Sequence, residues 1–311
     1  MATAFIFPGQ GSQAVGMGKA LCDAFPAARA VFEEVDAALG QKLSTLMFEG
    51  PSDELTLTSN AQPALMAVSL AALRALQAEK GVDLKRDAAF VAGHSLGEYS
   101  ALAASGAISI TDTAKLLRIR GDAMQKAVPV GLGGMAALIG ATKEQAADVA
   151  REAAEGEVCE VANDNGGGQV VISGHATAIA RAIPIAQGKG IRRALALPVS
   201  APFHCSLMQP AAEAMAEALA GAKISAPVVP VVANVLASAI TSPDEIRKRL
   251  VEQVTGSVRW AESMAWLGGQ GVTHFVEIGA GKVLSGLVKR IVEGASAANV
   301  ATPDDVAGFG A

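Results

Sequence analysis

Cysteine is scarce in this chain: Cys22, Cys159 and Cys205 are the 3 present in 311 residues. They cannot all pair, and none of their spacings is that of a Cys-x-x-Cys metal site. No disulfide framework and no metal centre is therefore expected, and a reducing compartment is. A charge excess is missing as well. With 18% charged residues and a formal net charge of −5, nothing supports a nucleic-acid binder or a polybasic membrane anchor. No uninterrupted apolar run reaches the roughly 18 residues of a membrane span, and the first residues lack a basic segment followed by an apolar one. The cytoplasm is the expected location.

What is present is ample apolar content, 51% of the chain, enough for one large domain carrying a smaller insert. A short strand over 3–7 leads into the loop Pro8-Gly9-Gln10-Gly11-Ser12-Gln13, followed by helical patterns near 17–24, 26–39 and 60–80. A strand over 89–92 precedes a helix over about 96–104, and Thr111 or Asp112 is expected to cap a helix reaching about Lys126. This alternation predicts a mostly parallel α/β sheet. After the glycine-rich joint Pro129–Gly134 the rhythm changes: strand 135–140, a helix opened by the capping box Thr142-Lys143-Glu144-Gln145, strands 157–162 and 169–173, a helix from about 176, and strand 191–197. That βαββαβ order is ferredoxin-like. Pro184 should kink or shorten the second of its helices. Beyond Pro198 the first rhythm resumes, with helix 206–220, strand 228–233, helices 243–253 and 258–267, strand 273–278 and helix 283–292. The core is thus expected to be discontinuous, 1–128 with 199–311, around an insert at 129–198. The tail after Gly294 is expected to wrap or fray, and no internal repeat or low-complexity tract occurs.

The segment Gly93-His94-Ser95-Leu96-Gly97-Glu98 follows an apolar run and opens a helix, the layout of a nucleophile elbow. Small residues two positions from the serine on either side are needed because a Cβ there would collide with the bend. The hydroxyl then stands above a helix N-terminus, where the next backbone N–H can stabilise an oxyanion.

Ser95 needs a base, and the chain has 4 histidines. His94 adjoins the serine on a sharp turn and so points elsewhere; His175 begins a helix of the insert; His274 falls in a predicted buried strand. His204 lies in the loop Val199-Ser200-Ala201-Pro202-Phe203-His204 at the seam between domains, from which it can reach the elbow. The alternative for His204 is a helix cap near Ser206. No acidic residue is marked as a third member, and a Ser–His pair whose imidazole is oriented by a backbone carbonyl suffices chemically.

Helical spacing places Arg120 with Leu117, Gly121 and Met124 on one face. A guanidinium on an apolar stripe needs a partner, either a protein carboxylate or the carboxylate of a substrate held in bidentate fashion. Two glycine-rich loops compete for attention. Gly9-Gln10-Gly11-Ser12-Gln13-Ala14 matches a loose dinucleotide pattern, but Glu33, Glu34 and Asp36 fall inside a predicted helix rather than at a strand end. Gly279-Ala280-Gly281-Lys282 lacks the earlier glycine and the final Ser/Thr of a phosphate loop, and reads as a tight turn. A serine esterase or thioesterase, a Rossmann dehydrogenase and a non-catalytic carrier-binding module are the rival readings.

Seven motifs in order, Phe7-Pro8-Gly9-Gln10-Gly11-Ser12-Gln13, Gln62-Pro63-Ala64, Gly93-His94-Ser95-Leu96-Gly97-Glu98, Arg120-Gly121, Gln169-Val170-Val171-Ile172-Ser173-Gly174, Pro202-Phe203-His204 and Glu277-Ile278-Gly279, give the chain a resemblance. It resembles the malonyl-CoA:acyl carrier protein transacylases of bacterial fatty-acid synthesis over about 290 residues. The resemblance implies an α/β-hydrolase-like core with a ferredoxin-like insert, no cofactor, and malonyl-CoA and a phosphopantetheinylated acyl carrier protein as substrates; a monomer is expected. It implies Ser95 as nucleophile, His204 as base, the amides of Gln10 and Leu96 as oxyanion hole, Arg120 as ligand of the malonyl carboxylate supported by Gln62, and the Gln253 carbonyl as orienter of the histidine. Phe203 and Leu96 are expected to crowd the acyl α-carbon and so to disfavour a methyl branch there. Since the carriers are acidic, Lys189, Arg192 and Arg193 on the insert and Lys282, Lys289 and Arg290 on the core are candidates for a docking patch, or else an ordinary solvated face. Ala280, where the family often has proline, and Gly166-Gly167-Gly168 depart from the family pattern at turns.

Overall fold

Ten strands form two sheets in the computed structural model, which describes residues 2–199 and 201–310. In chain order they are β1 (Ala2–Phe7), β2 (Phe90–Gly93), β3 (Gly133–Ile139), β4 (Cys159–Asp164), β5 (Gln169–His175), β6 (Arg193–Ala196), β7 (Val231–Ala233), β8 (Ser238–Ile240), β9 (Val272–Ile278) and β10 (Ser296–Val300). The larger sheet runs β10-β9-β1-β2-β7-β8 and is parallel except for β8. Its central strands read as near-continuous apolar runs because helices cover both faces, and Phe5, Ile6 and Phe7 are wholly buried. The smaller sheet, β4-β5-β3-β6, is antiparallel throughout, as a βαββαβ unit requires. Its helices, Lys143–Ala154 and Ala176–Gly188, pack a separate apolar cluster that includes Leu138, Val149, Ile172 and Ile179. The Thr142–Gln145 capping box forms in full.

Several sequence expectations are corrected. The helix holding Arg120 spans Ile110–Ala127, and its cap is Ser109, whose Oγ accepts the Asp112 N–H; Thr111 instead donates to Glu34. Pro184 does not shorten its helix. It and Ala180 are exposed, so the carbonyl deprived of a donor faces water, while Ala178, Ile179, Ala182 and Ala186 anchor the opposite side. The tail wraps rather than frays: β10 adds to the sheet edge beside β9, and helix Pro303–Ala307 follows under a Thr302–Asp305 capping box. His274 lies in β9 but is only half-buried, bonding Ser296. The helices Leu43–Glu49 and Ser52–Thr56 and the strand β8 were not expected. Ser200, in the loop that carries His204, lies outside the described residues.

The long helix Thr58–Lys80 and the helix Ile110–Ala127 meet at Gly121. A Cβ added there would stand 2.6 Å from Ser59 Cα and 2.7 Å from Thr58 O. Both obstacles are backbone, so a helix would have to move. The contact sets the distance between Gln62 on one helix and Arg120 on the other. Gly121→Ala is expected to cost about 1–3 kcal/mol by overpacking, measured by urea unfolding; an unchanged midpoint would show that the helices are not held at this spacing.

Candidate active site

Strands β1 and β2 are parallel neighbours with Phe7 opposite Gly93. Their C-terminal ends, where ligands bind in open α/β sheets, therefore deliver the Gly9–Gln13 loop and the Ser95 elbow side by side. The His94 N–H donates to Phe7 O at 3.0 Å, tying the two together. Ser95 holds φ 53°, ψ −111° as the residue before helix Leu96–Ala104. A Cβ on Gly93 would strike the Gly97 carbonyl, and one on Gly97 would strike the Phe7 carbonyl, so neither position admits a larger residue. Gly9 is pressed against the elbow in the same way, 2.7 Å from His94 O if given a Cβ.

His204 reaches Ser95 from the far side of the cleft, with its Nε2 2.8 Å from Ser95 Oγ. Its Nδ1 lies 2.9 Å from Gln253 O and 3.2 Å from Gly256 O. Both partners are carbonyls and only accept, so Nδ1 carries the proton and Nε2 is the bare nitrogen facing the hydroxyl. Among the described residues no carboxylate occupies the place of a triad acid. His204 is buried, and burial, followed by the nearby Arg120 charge, pushes its pKa down to about 3. His94 turns away, as its position implied: Nε2 is 2.8 Å from Asn165 Oδ1.

Arg120 is 1% exposed. Its Nη1 donates to Gln62 Oε1 at 2.7 Å, and its Nη2 to Gln253 Oε1 at 2.9 Å and Ser95 Oγ at 3.0 Å. The Tyr99 ring lies 5.7 Å from the guanidinium carbon. Among the described residues no carboxylate is within ion-pair distance of it, and Nε has no partner. A buried cation surrounded by neutral carbonyls keeps an unmet need for negative charge, and burial lowers its pKa.

The site opens into a cavity of about 590 Å³ between the two sheets, lined by Gln10, Leu96, Arg120 and Phe203 and, from the small-sheet side, Met135 and Leu197. Leu96 N–H is the first helical amide and has no acceptor within the helix. Gln10 sits across the cleft, its side chain on Thr58 Oγ1 at 3.3 Å. Half-buried Phe203 forms part of the wall.

Two residues of the site had no sequence assignment. Asn234, just after β7, accepts from Ser95 N–H at 2.7 Å through Oδ1 and donates to Gly93 O at 2.7 Å through Nδ2. Glu98 is buried behind the elbow, on Asn234 N and Gln253 Nε2. A carboxylate in the first turn of an otherwise apolar helix was the available signal for Glu98; nothing marks Asn234.

Because His204 is held neutral far below the ordinary histidine range, its ability to take a proton persists as pH falls and is lost only as pH approaches about 3. Modification of Ser95 by an uncharged fluorophosphonate should therefore keep more than about half of its pH 8 rate at pH 5, where an imidazole of ordinary pKa is almost wholly protonated. A rate that halves near pH 6.5 would contradict this.

Residues 4–305 match the family model described as an acyl transferase domain. The malonyl CoA-acyl carrier protein transacylase of Bacillus subtilis is 47% identical over 304 residues, covering 97% of this chain and 94% of that protein. A crystal structure of an acyl-carrier-protein-S-malonyltransferase from Bartonella henselae superposes with a TM-score of 0.96 at 55% identity, covering 99% of this chain and 98% of the other. A malonyl-transacylase solved in complex with the holo acyl carrier protein of a type II polyketide synthase gives 0.95 at 42% identity, with 99% and 98% covered. The chain belongs to the malonyl-CoA:acyl carrier protein transacylase family.

Proposed function

We propose that the protein transfers a malonyl group from malonyl-CoA to the phosphopantetheine thiol of an acyl carrier protein, by a ping-pong route through malonyl-Ser95. The observation that carries this reading is Arg120, a buried guanidinium without a protein carboxylate, 3.0 Å from the nucleophile. A malonyl carboxylate supplies the missing charge while its thioester carbon lies at Ser95. Gln62 holds the other arm of the guanidinium.

In the first half-reaction Ser95 Oγ attacks the thioester carbon and its proton passes to His204 Nε2. The resulting imidazolium shares its Nδ1 proton with the Gln253 carbonyl. The oxyanion accepts from the Leu96 and Gln10 amides. Collapse breaks the carbon–sulfur bond, His204 returns the proton to the CoA sulfur, and malonyl-Ser95 remains. The carrier thiol then gives its proton to His204, attacks the ester, and Ser95 leaves with that proton. Thioester exchange is nearly thermoneutral, so the site has to exclude water rather than drive the reaction. Phe203 and Leu96 at the wall crowd the acyl α-carbon and disfavour a methyl branch. No oxidation state changes and no group is activated by a nucleotide, so the chemistry calls for no cofactor. All of these groups come from one chain, which supports a working monomer, and the use of a CoA thioester supports a cytoplasmic location.

For the acidic carrier, Lys189 is already engaged with Glu152 at 2.8 Å. Arg192, Arg193, Lys282, Lys289 and Arg290 are exposed. Arg290 lies against Gly167 and Arg192 against Gly140, which Gly168 also approaches, so cations of the insert and the core share one seam.

Intact mass after mixing with malonyl-CoA should show one malonyl adduct that Ser95→Ala abolishes; steady hydrolysis without an acceptor would indicate a thioesterase. In the same assay Arg120→Ala should lose roughly 100-fold in malonyl transfer with little change for acetyl, and Phe203→Ala should admit methylmalonyl. Equal losses on malonyl and acetyl would return Arg120 to a structural role, and an unchanged malonyl to methylmalonyl ratio would remove Phe203 from specificity. Charge reversal at Arg192 and Arg290 should raise the carrier's KM roughly 3–10-fold and spare the CoA half-reaction; an unchanged KM would place docking elsewhere.

A further inference from the structure

Glu98 is 1% exposed, touches neither Ser95 Oγ nor His204, and has no part in the steps above. Its Oε2 accepts from Asn234 N–H at 3.0 Å and from Gln253 Nε2 at 2.7 Å. The same Nε2 donates to Ser95 O at 3.1 Å, and Gln253 Oε1 accepts from Arg120 Nη2 at 2.9 Å. Gln253 thus lies between a group that, when ionised, only accepts and a group that only donates. Its two amide atoms have nearly the same shape, so packing alone does not decide which faces which way. The carboxylate makes the shortest of the contacts that hold Nε2, ahead of Ser95 O and Asn234 Oδ1, and with Nε2 drawn to that side Oε1 faces the guanidinium. Turned over, the amide would set N–H against N–H and release that arm of Arg120.

We propose that Glu98, acting through the side-chain amide of Gln253, is the positioning residue that aims Arg120 at the acyl carboxylate, a role that rests on the carboxylate reading above. A carboxylate placed directly on Arg120 would orient it too, but would neutralise it and compete with the substrate. Interposing a glutamine gives orientation without neutralisation. Burial works against the charge on Glu98 and pushes its pKa up to about 7, with the two hydrogen bonds and Arg120 opposing, so the carboxylate is ionised at pH 8. Gln253 therefore acts through two different groups. Its main-chain carbonyl orients His204, and its side chain, set by Glu98, orients Arg120.

The test is Ser95 acylation at pH 8, followed by intact mass with malonyl-CoA and with acetyl-CoA, for wild type, Glu98→Gln, Gln253→Leu and the double variant; fluorophosphonate labelling reports on Ser95 and His204 independently. Glu98→Gln should lower malonyl kcat/KM roughly 10–100-fold, while acetylation and fluorophosphonate labelling change less than about threefold. Gln253→Leu should lower malonyl kcat/KM at least as far, and the double variant should be no worse than Gln253→Leu alone, because the two residues act as one chain. Equal malonyl and acetyl losses, an unchanged ratio, or additive losses would overturn the proposal. Should Glu98→Gln lose its cooperative unfolding transition, the malonyl to acetyl ratio in Glu98→Asp, whose shorter side chain draws the carboxylate back from Gln253, decides in its place. Absence of a malonyl adduct in the wild type would overturn the carboxylate reading itself, whereas an intact adduct with an unchanged ratio in Glu98→Gln overturns only the role of Glu98.

Discussion

Ser95 stands at φ 53°, ψ −111°, a conformation that costs a residue with a side chain about 1–3 kcal/mol and persists only where its surroundings over-determine it. Close backbone contacts and one side chain do so. Gly93 and Gly97 close on each other across the bend, Gly97 also lies against the end of β1, and the Asn234 side chain bridges Ser95 N–H and Gly93 O. The turn lifts the hydroxyl clear of the strand and aims the first helical amides at the space beside it. Arg120 and His204 are placed relative to that one atom, so displacement of the turn would disconnect both.

The second constraint is electrostatic. A buried guanidinium and a buried imidazole share a small space, and among the described residues neither has a carboxylate on it. Neutral carbonyls on Arg120 leave the cation without a counter-charge, while burial and the neighbouring Arg120 charge keep His204 neutral against the opposite pull of its two main-chain carbonyls.

The elbow was readable because its chemistry is local: glycine at two fixed offsets, an apolar strand before and a helix after. The Thr142–Gln145 capping box and the alternating large-sheet rhythm were readable for the same reason. Ser109 was missed as a cap because Thr111 and Asp112 offer equally good capping side chains, and only the helix start separates them. Strand β10, Ser-Ala-Ala-Asn-Val, has little β propensity of its own and exists because β9 presents an open edge. Pro184 kept its helix because the face it occupies is wet, a property the periodicity of one helix does not reveal. Glu98 and Asn234 escaped because their importance is a matter of what they touch.

By itself the sequence determined the α/β class, the βαββαβ unit between two stretches of the larger sheet's pattern, and a serine poised at a strand-to-helix turn, since each follows from periodicity and steric rules within a few residues. Tertiary structure brought His204, the histidine singled out by its loop, within hydrogen-bond reach of that serine, and it alone decided the side chains that surround the arginine. Ser95 and His204 lie 109 positions apart, and Arg120 and Gln253 lie 133 apart. Such partners are chosen by the order of strands in a sheet and the spacing of helices on it, which are set by burial over the whole chain.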